Sequence, residues 1–255
     1  MVKEAYDFPT ELKSIMLVGG KKIPDRKAVV RTDNNTVLGI VGSDYKIVPH
    51  KTVIETFENI KTLERERLDL CHKGAVLLAR YNIGETERPV AKGDVVRFQL
   101  RVFNSMNSSF GVGFELVALR LVCTNGLVVP KSISRLSFKH FNNANVNELP
   151  ELINRRLINI APTVNTWKDW LNIHPAENRI TEYFKEIKMG ERLQKELLPK
   201  AVEDAERNGV WGIFNTLTYH ITHDIKIRGT GENKALSQRT REQEWLPKFY
   251  DFKWN

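Results

Sequence analysis

Cysteine is scarce in this 255-residue chain: the two present, Cys71 and Cys123, stand 52 positions apart. No CxxC pair and no Cys/His cluster occurs. That excludes the spacings of a structural zinc site and of a secreted disulfide framework. Long apolar runs are missing too. None approaches the ~20 residues that a membrane-spanning helix needs. The opening residues, MVKEAYDFPTELK, hold acids and a proline but no apolar segment, so no secretory signal is expected and the cytoplasm is the expected location. No Walker A, GxGxxG, HExxH or GxSxG pattern is found, so no nucleotide, zinc-protease or hydrolase chemistry is legible and no cofactor is expected. The GVGF at 111–114 falls within a hairpin pattern, where a hairpin glycine explains it better than a phosphate loop. No internal repeat is visible.

What is present is an ordinary globular composition with a basic excess. Hydrophobic residues make up 41% of the chain, enough to bury a core over one large domain or a domain with a helical extension. Lys and Arg number 39 against 31 Asp and Glu, a formal charge of +8. Most positive charges have a nearby acid. The balance suits a polyanion partner such as nucleic acid and equally suits a plain soluble surface.

The pattern divides the chain into four parts: an N-terminal arm over 1–22, a sheet-plus-helix core over 23–147, a helical region over 148–228 and a basic, aromatic tail over 229–255. Within the arm a short helix or strand is expected around Leu12 to Val18. Val29-Val30 and the apolar residues after Val37 flank the Asp33-Asn34-Asn35 turn, which predicts a hairpin of strands near 27–32 and 36–41. Pro49 to Leu63 reads as a helix with Val53, Ile54, Phe57 and Ile60 on one stripe, ending in solvent at ERERLD. GAVLLARYNI, DVVRFQLRVFNSM and GVGFELVALRLVC read as strands. In the second, Val96, Phe98, Leu100 and Val102 share one face and Arg97, Gln99 and Arg101 the other. The third is apolar throughout, as a strand covered on both faces would be. Beyond Leu149 the period is helical, with Trp167 and Trp170 on one segment and two units closed by glycine at 190 and 209. The tail reads as partly irregular, docked by Trp245, Phe249, Tyr250 and Trp254. The expected fold class is therefore α+β: an antiparallel meander with a helix packed on it, then a mainly helical C-terminal region.

Few residues suggest catalysis. His220, His223 and Asp224 form the best cluster, since histidines at i and i+3 share a helix face. No further ligand is identifiable, and packing and surface roles explain the trio as well, so no metal is expected. Glu182 and Glu186 fit a solvated helix face. Cys123 fits a buried thiol. Basic residues interleaved with aromatics say more. Arg97 and Arg101 form a ladder on one strand face, Arg135 and Lys139 bracket Phe138, and the tail adds Lys226 and Arg228. Such a surface can hold a phosphate backbone and stack bases. For Arg97 and Arg101 the alternative is a polar sheet face with Glu and Gln cross-strand partners.

Three segments carry a resemblance. VGSDYKIVPHKTVIETFENI contains Tyr45 in a Tyr-x-(Ile/Val)-Val stretch leading into a helix. FELVALRLVCTNGLVV contains Arg120, Cys123 and Asn125 at a strand end, and GVWGIFNTLTYHITHD contains Trp211, Asn215 and Thr218. In that order they resemble the domain-of-unknown-function family found in bacteriophages, prophages and plasmids. The family's turn before the third strand usually carries His and Asp-Gly, whereas this chain has Asn107-Ser108-Ser109. The resemblance implies a mobile-element origin, a host-cytoplasmic location and a mixed sheet-and-helix fold, and it implies no reaction. The element order is also similar to that of phage single-strand annealing proteins, an analogy of fold alone. The expectation is a single-stranded DNA-binding, homo-oligomeric protein, possessing no enzymatic activity, that anneals or recombines strands on a basic sheet face and oligomerises through its hairpin edges and N-terminal arm. The competing expectation is an interaction module that modulates a host defence protein.

Overall fold

The computed structural model describes residues 4–121, 125–128, 135–138, 148, 151–153, 155, 160–224 and 234–255. The expected α+β class holds, with antiparallel sheets in the N-terminal half and mainly helices after them.

A small sheet comes first, ordered β1 (Thr10–Met16), β2 (Lys22–Arg31), β3 (Val37–Gly42). Helix α1 (His50–Glu58) follows, and its stripe Val53, Ile54 and Phe57 is fully buried. The main sheet contains β4 (Leu63–Cys71), β5 (Val76–Ile83), β6 (Arg88–Ala91), β7 (Asp94–Ser105), β8 (Val112–Arg120), β9 (Asn125–Val128) and β10 (Arg135–Phe138). Its order is β10-β8-β7-β5-β4, with β6 added to β7 and β9 to β8. The alternation in β7 sorts residues as the sequence predicts: Val96, Phe98, Leu100 and Val102 are fully buried in the main core. Residues 112–118 of β8 are buried on both faces, which explains its uniform apolarity.

Two expectations change. Helix α1 stops at Glu58, and ERERLD belongs to β4, which pairs with β5 from Leu63↔Ile83 to Cys71↔Val76. A bulge between Arg65 and Arg67 breaks the two-residue period there, so the strand hides in sequence as a charged run. The tail is also more regular than expected. Residues 234–251 form a helix, α5 (Lys234–Asp251), whose Trp245 and Phe249 are buried together with Trp254 beyond it. Pro247 and the polar composition mask its short apolar stripe.

The other helices are α2 (Ile160–Trp170), α3 (Glu177–Glu186) and α4 (Glu191–Tyr219), closed by a π-helical turn at His220–Asp224. An aromatic core joins them to the sheet. Trp167 stacks on Phe98 of β7 at 5.9 Å and lies 5.4 Å from Trp211, while Phe214 meets Trp170 at 5.2 Å and Phe249 at 5.0 Å. Helix α4 bends sharply at Asn208-Gly209, where Gly209 has φ 59° and ψ −150°. Only glycine fits: a Cβ there would overlap the Trp170 carbonyl oxygen and stand 2.6 Å from that of Ile173. The bend lets the Val210 N–H donate to the Ile173 carbonyl at 2.8 Å. Among the described residues no helix is long and apolar enough to cross a membrane.

Candidate nucleic-acid interface

The outer face of the main sheet, opposite the aromatic core, carries the arginine ladder. Register aligns Arg67, Arg80, Arg101 and Glu115 in one rung across β4, β5, β7 and β8. Arg101 is buried, and its guanidinium is clamped between Glu115 at 3.3 Å and the carboxylate of Glu242 on α5. Burial works against its charge, but the Glu242 and Glu115 carboxylates outweigh it and hold the Arg101 pKa above the ordinary arginine value. Arg97 is half-buried and ion-paired to Glu87. Arg67 pairs with Asp69 at 2.8 Å. Gln99 donates to Glu66 at 2.9 Å and to Asn82 at 2.6 Å. Arg80 has no ion pair among the described residues, and its pKa is lowered, first by burial and then by neighbouring Arg101. Arg97 and Arg101 thus have Glu partners, as the polar-face alternative expects, though Glu242 comes from a helix and no Gln meets either arginine among the described contacts. Arg101 in particular presents no free guanidinium to solvent.

Several residues of the resemblance converge on a carboxylate that sequence reading misses. Asp94, at the start of β7, takes Nε and Nη2 of Arg120 on its two oxygens at 2.7 and 2.8 Å. It also accepts the indole N–H of Trp211 at 2.9 Å. Arg120 at the end of β8 and Trp211 on α4 are thereby joined, sheet to helix, through one buried acid. Asn215 donates to the Trp211 carbonyl at 2.8 Å, and the Thr218 hydroxyl donates to the Phe214 carbonyl at 2.9 Å. Both are buried and hold helix backbone. Tyr45 is buried as well and donates its hydroxyl to the Ser105 carbonyl at 2.8 Å, with its pKa raised by burial. These residues are a framework joining sheet to helix. A short Asp preceding a strand carries no sequence signal for this role, because its partners lie 26 and 117 positions away.

The remaining candidates scatter. His220 Nδ1 lies 3.6 Å from Asp224, whereas the His223 ring packs on Tyr219 at 4.6 Å. Among the described residues no group of three or more His, Cys, Asp or Glu side chains is placed to hold a metal ion. Cys123, Lys139, Lys226 and Arg228 lie outside the described residues. Arg135 and Phe138 lie on β10, where Arg135 pairs with Glu115 in register, and Asn125 on β9 pairs with Arg120.

Among the described residues a further basic surface lies on the ribbon formed by β1 and β2. Residues 10–31 hold Lys13, Lys21, Lys22, Arg26, Lys27 and Arg31 against Glu11 and Asp25, an excess of four that equals half of the chain's +8. Lys13 meets Glu11 and Arg26 lies near Asp25, both in exposed pairs worth little. Arg31 is tied to Asp33. Lys21, Lys22 and Lys27 join no ion pair among the described residues. Pairing with β3 begins at Arg26↔Gly42, so residues 15–23 pair only within the ribbon. The ribbon's end is a solvent-facing arm.

Residues 37–243 match the family model described as domain of unknown function DUF932, and the chain belongs to that family. No curated protein and no solved structure matches. The arm precedes the matched span, which contains Asp94, Arg120 and Trp211.

Proposed function

We propose that the chain is a mobile-element protein that binds single-stranded DNA, with the β1–β2 arm as its main phosphate contact. The observation that carries this reading is the set of arm cations, Lys21, Lys22 and Lys27, that join no ion pair among the described residues. Lys21, Lys22 and Lys27 supply sequence-independent attraction to a polyanion by displacing its counterions. The sheet-face arginines, already held by Glu87, Glu115 and Glu242, serve the stability of the main sheet, which is separate from the small sheet that carries the arm. Annealing follows if several copies assemble and present their bound strands side by side. No cofactor is required.

Fluorescence anisotropy with a labelled oligonucleotide, repeated across salt, tests the proposal. Affinity falls with salt with a log–log slope of about −0.7 for each phosphate contact on a single strand. The variant Lys21→Glu/Lys22→Glu/Lys27→Glu flattens the slope by two to three contacts, and Arg97→Gln leaves it unchanged. An affinity that is absent, or flat with salt, overturns the reading.

A further inference from the structure

The arm ends in an apolar cap outside the buried core. Met16, Leu17 and Val18 follow one another at the tip with relative exposures of 63, 52 and 107%. Three successive exposed apolar side chains at a turn are unfavourable in water unless something covers them. The tip is an ordered turn. Leu17 N–H donates to the Lys21 carbonyl at 2.8 Å and Gly20 N–H to the Leu17 carbonyl at 2.9 Å. Gly19 and Gly20 take φ of 101° and 87°, which makes the tight reversal attainable. The side chains are therefore held out in advance, so little ordering cost remains on contact.

The charge next to the cap identifies its occupant. Met16 faces Lys22 across the ribbon, Lys21 closes the turn, and Lys13 and Lys27 line the stem. An apolar partner surface would leave these ammonium groups without counter-charges. A single strand of nucleic acid supplies both: phosphates at the lysines and, one bond system away, the flat apolar faces of unpaired bases. We infer that Met16, Leu17 and Val18 form a base-contacting wedge that makes the arm prefer nucleic acid with unstacked bases over intact duplex. This deepens the function proposed above and rests on it. The lysines give affinity without regard to strand state, and the wedge gives the preference for the unpaired state.

The test compares wild type with Met16→Ser/Leu17→Ser/Val18→Ser and with Lys21→Glu/Lys22→Glu. The probes are an oligothymidylate, the same length as duplex, and a single strand carrying 2-aminopurine. All substituted side chains are exposed, so far-UV circular dichroism and Tm serve as folding controls. The tip variant is expected to keep the salt slope on both substrates while losing about tenfold on the single strand, equivalent to re-exposing one aliphatic side chain. Wild type alone is expected to change 2-aminopurine emission. The lysine variant is expected to weaken on both substrates and to show a flatter slope. If wild type binds neither substrate, the functional reading fails and this inference with it. If wild type binds and the tip variant binds equally well with the same emission change, the inference alone is overturned. Equal loss on both substrates with a fall in mass by light scattering makes the tip a contact between copies and also overturns the inference.

Discussion

Two basic regions of this molecule read alike in sequence and differ entirely in the fold. One is the outer face of the main sheet with Arg67, Arg97 and Arg101; the other is the arm with Lys21, Lys22 and Lys27. Arg67, Arg97 and Arg101 each meet a carboxylate, and one of those carboxylates arrives from far along the chain. Glu242 is 141 positions from Arg101 and Glu115 is 14. Lys21, Lys22 and Lys27 join no ion pair among the described residues. A positive charge in sequence does not say whether it is available to a partner; the neighbours supplied by register and topology decide that. The chemistry agrees with the division. Arginine forks suit fixed carboxylates, and the sheet uses arginine for its internal pairs, whereas the solvent-facing arm end carries lysine, a mobile point charge suited to an irregular polyanion.

The comparison breaks most visibly at Arg101. Replacing it by leucine removes the buried guanidinium that Glu115 and Glu242 share. The expected loss is about 3–5 kcal/mol of unfolding free energy, measured by urea denaturation. Part of the loss returns if Glu115→Gln and Glu242→Gln are added, because the buried charges are then removed. Asp94→Ala comes next, at about 2–4 kcal/mol, because it removes the buried carboxylate that the part-buried Arg120 guanidinium and the Trp211 indole share. Trp211 lies 5.4 Å from Trp167 in the aromatic core, so the native emission spectrum shifts with the loss of stability. If Asp94→Ala is neutral, the sheet-to-helix bridge is only a surface pair, and the division between committed and free charges is drawn in the wrong place.

Much of the fold was legible because one physical rule dominated locally. The alternation in β7, the stripe of α1 and the glycine at the α4 bend each follow from a single period or a single forbidden Cβ. Strand β4 was hidden by a bulge that shifts the period within a charged run, and α5 by a proline and a stripe barely a turn long. The aromatics that dock the tail were readable from their clustering. The site was less legible. Arg97 and Arg101 could be placed on one face, but their acids come from other strands and from α5, and no local pattern encodes that. Asp94 was invisible for the same reason. The arm was readable as a mixed segment with a short helix or strand around Leu12 to Val18, and its lysines do not stand out there. That its end stands clear of the third strand depends on where β3 pairing begins, which is a property of register.

The smallest effect on stability belongs to the arm, and it sharpens the comparison most. Lys21 and Lys22 are exposed and make no ion pair among the described residues, and the backbone around them is fixed by hydrogen bonds of the ribbon and by two glycines. Changing both to glutamate removes no interaction of the folded state. The expected change in unfolding free energy is within about 0.5 kcal/mol, by the same urea titration used for Arg101→Leu. Arg97→Gln falls between the two, at about 0.2–1 kcal/mol, because its pair with Glu87 is partly exposed. The three variants therefore rank by how far each cation is enclosed with its acid. If Lys21→Glu/Lys22→Glu destabilises as much as Arg101→Leu, the arm is held by contacts of its own, and its lysines belong to the fold instead of being available to a partner.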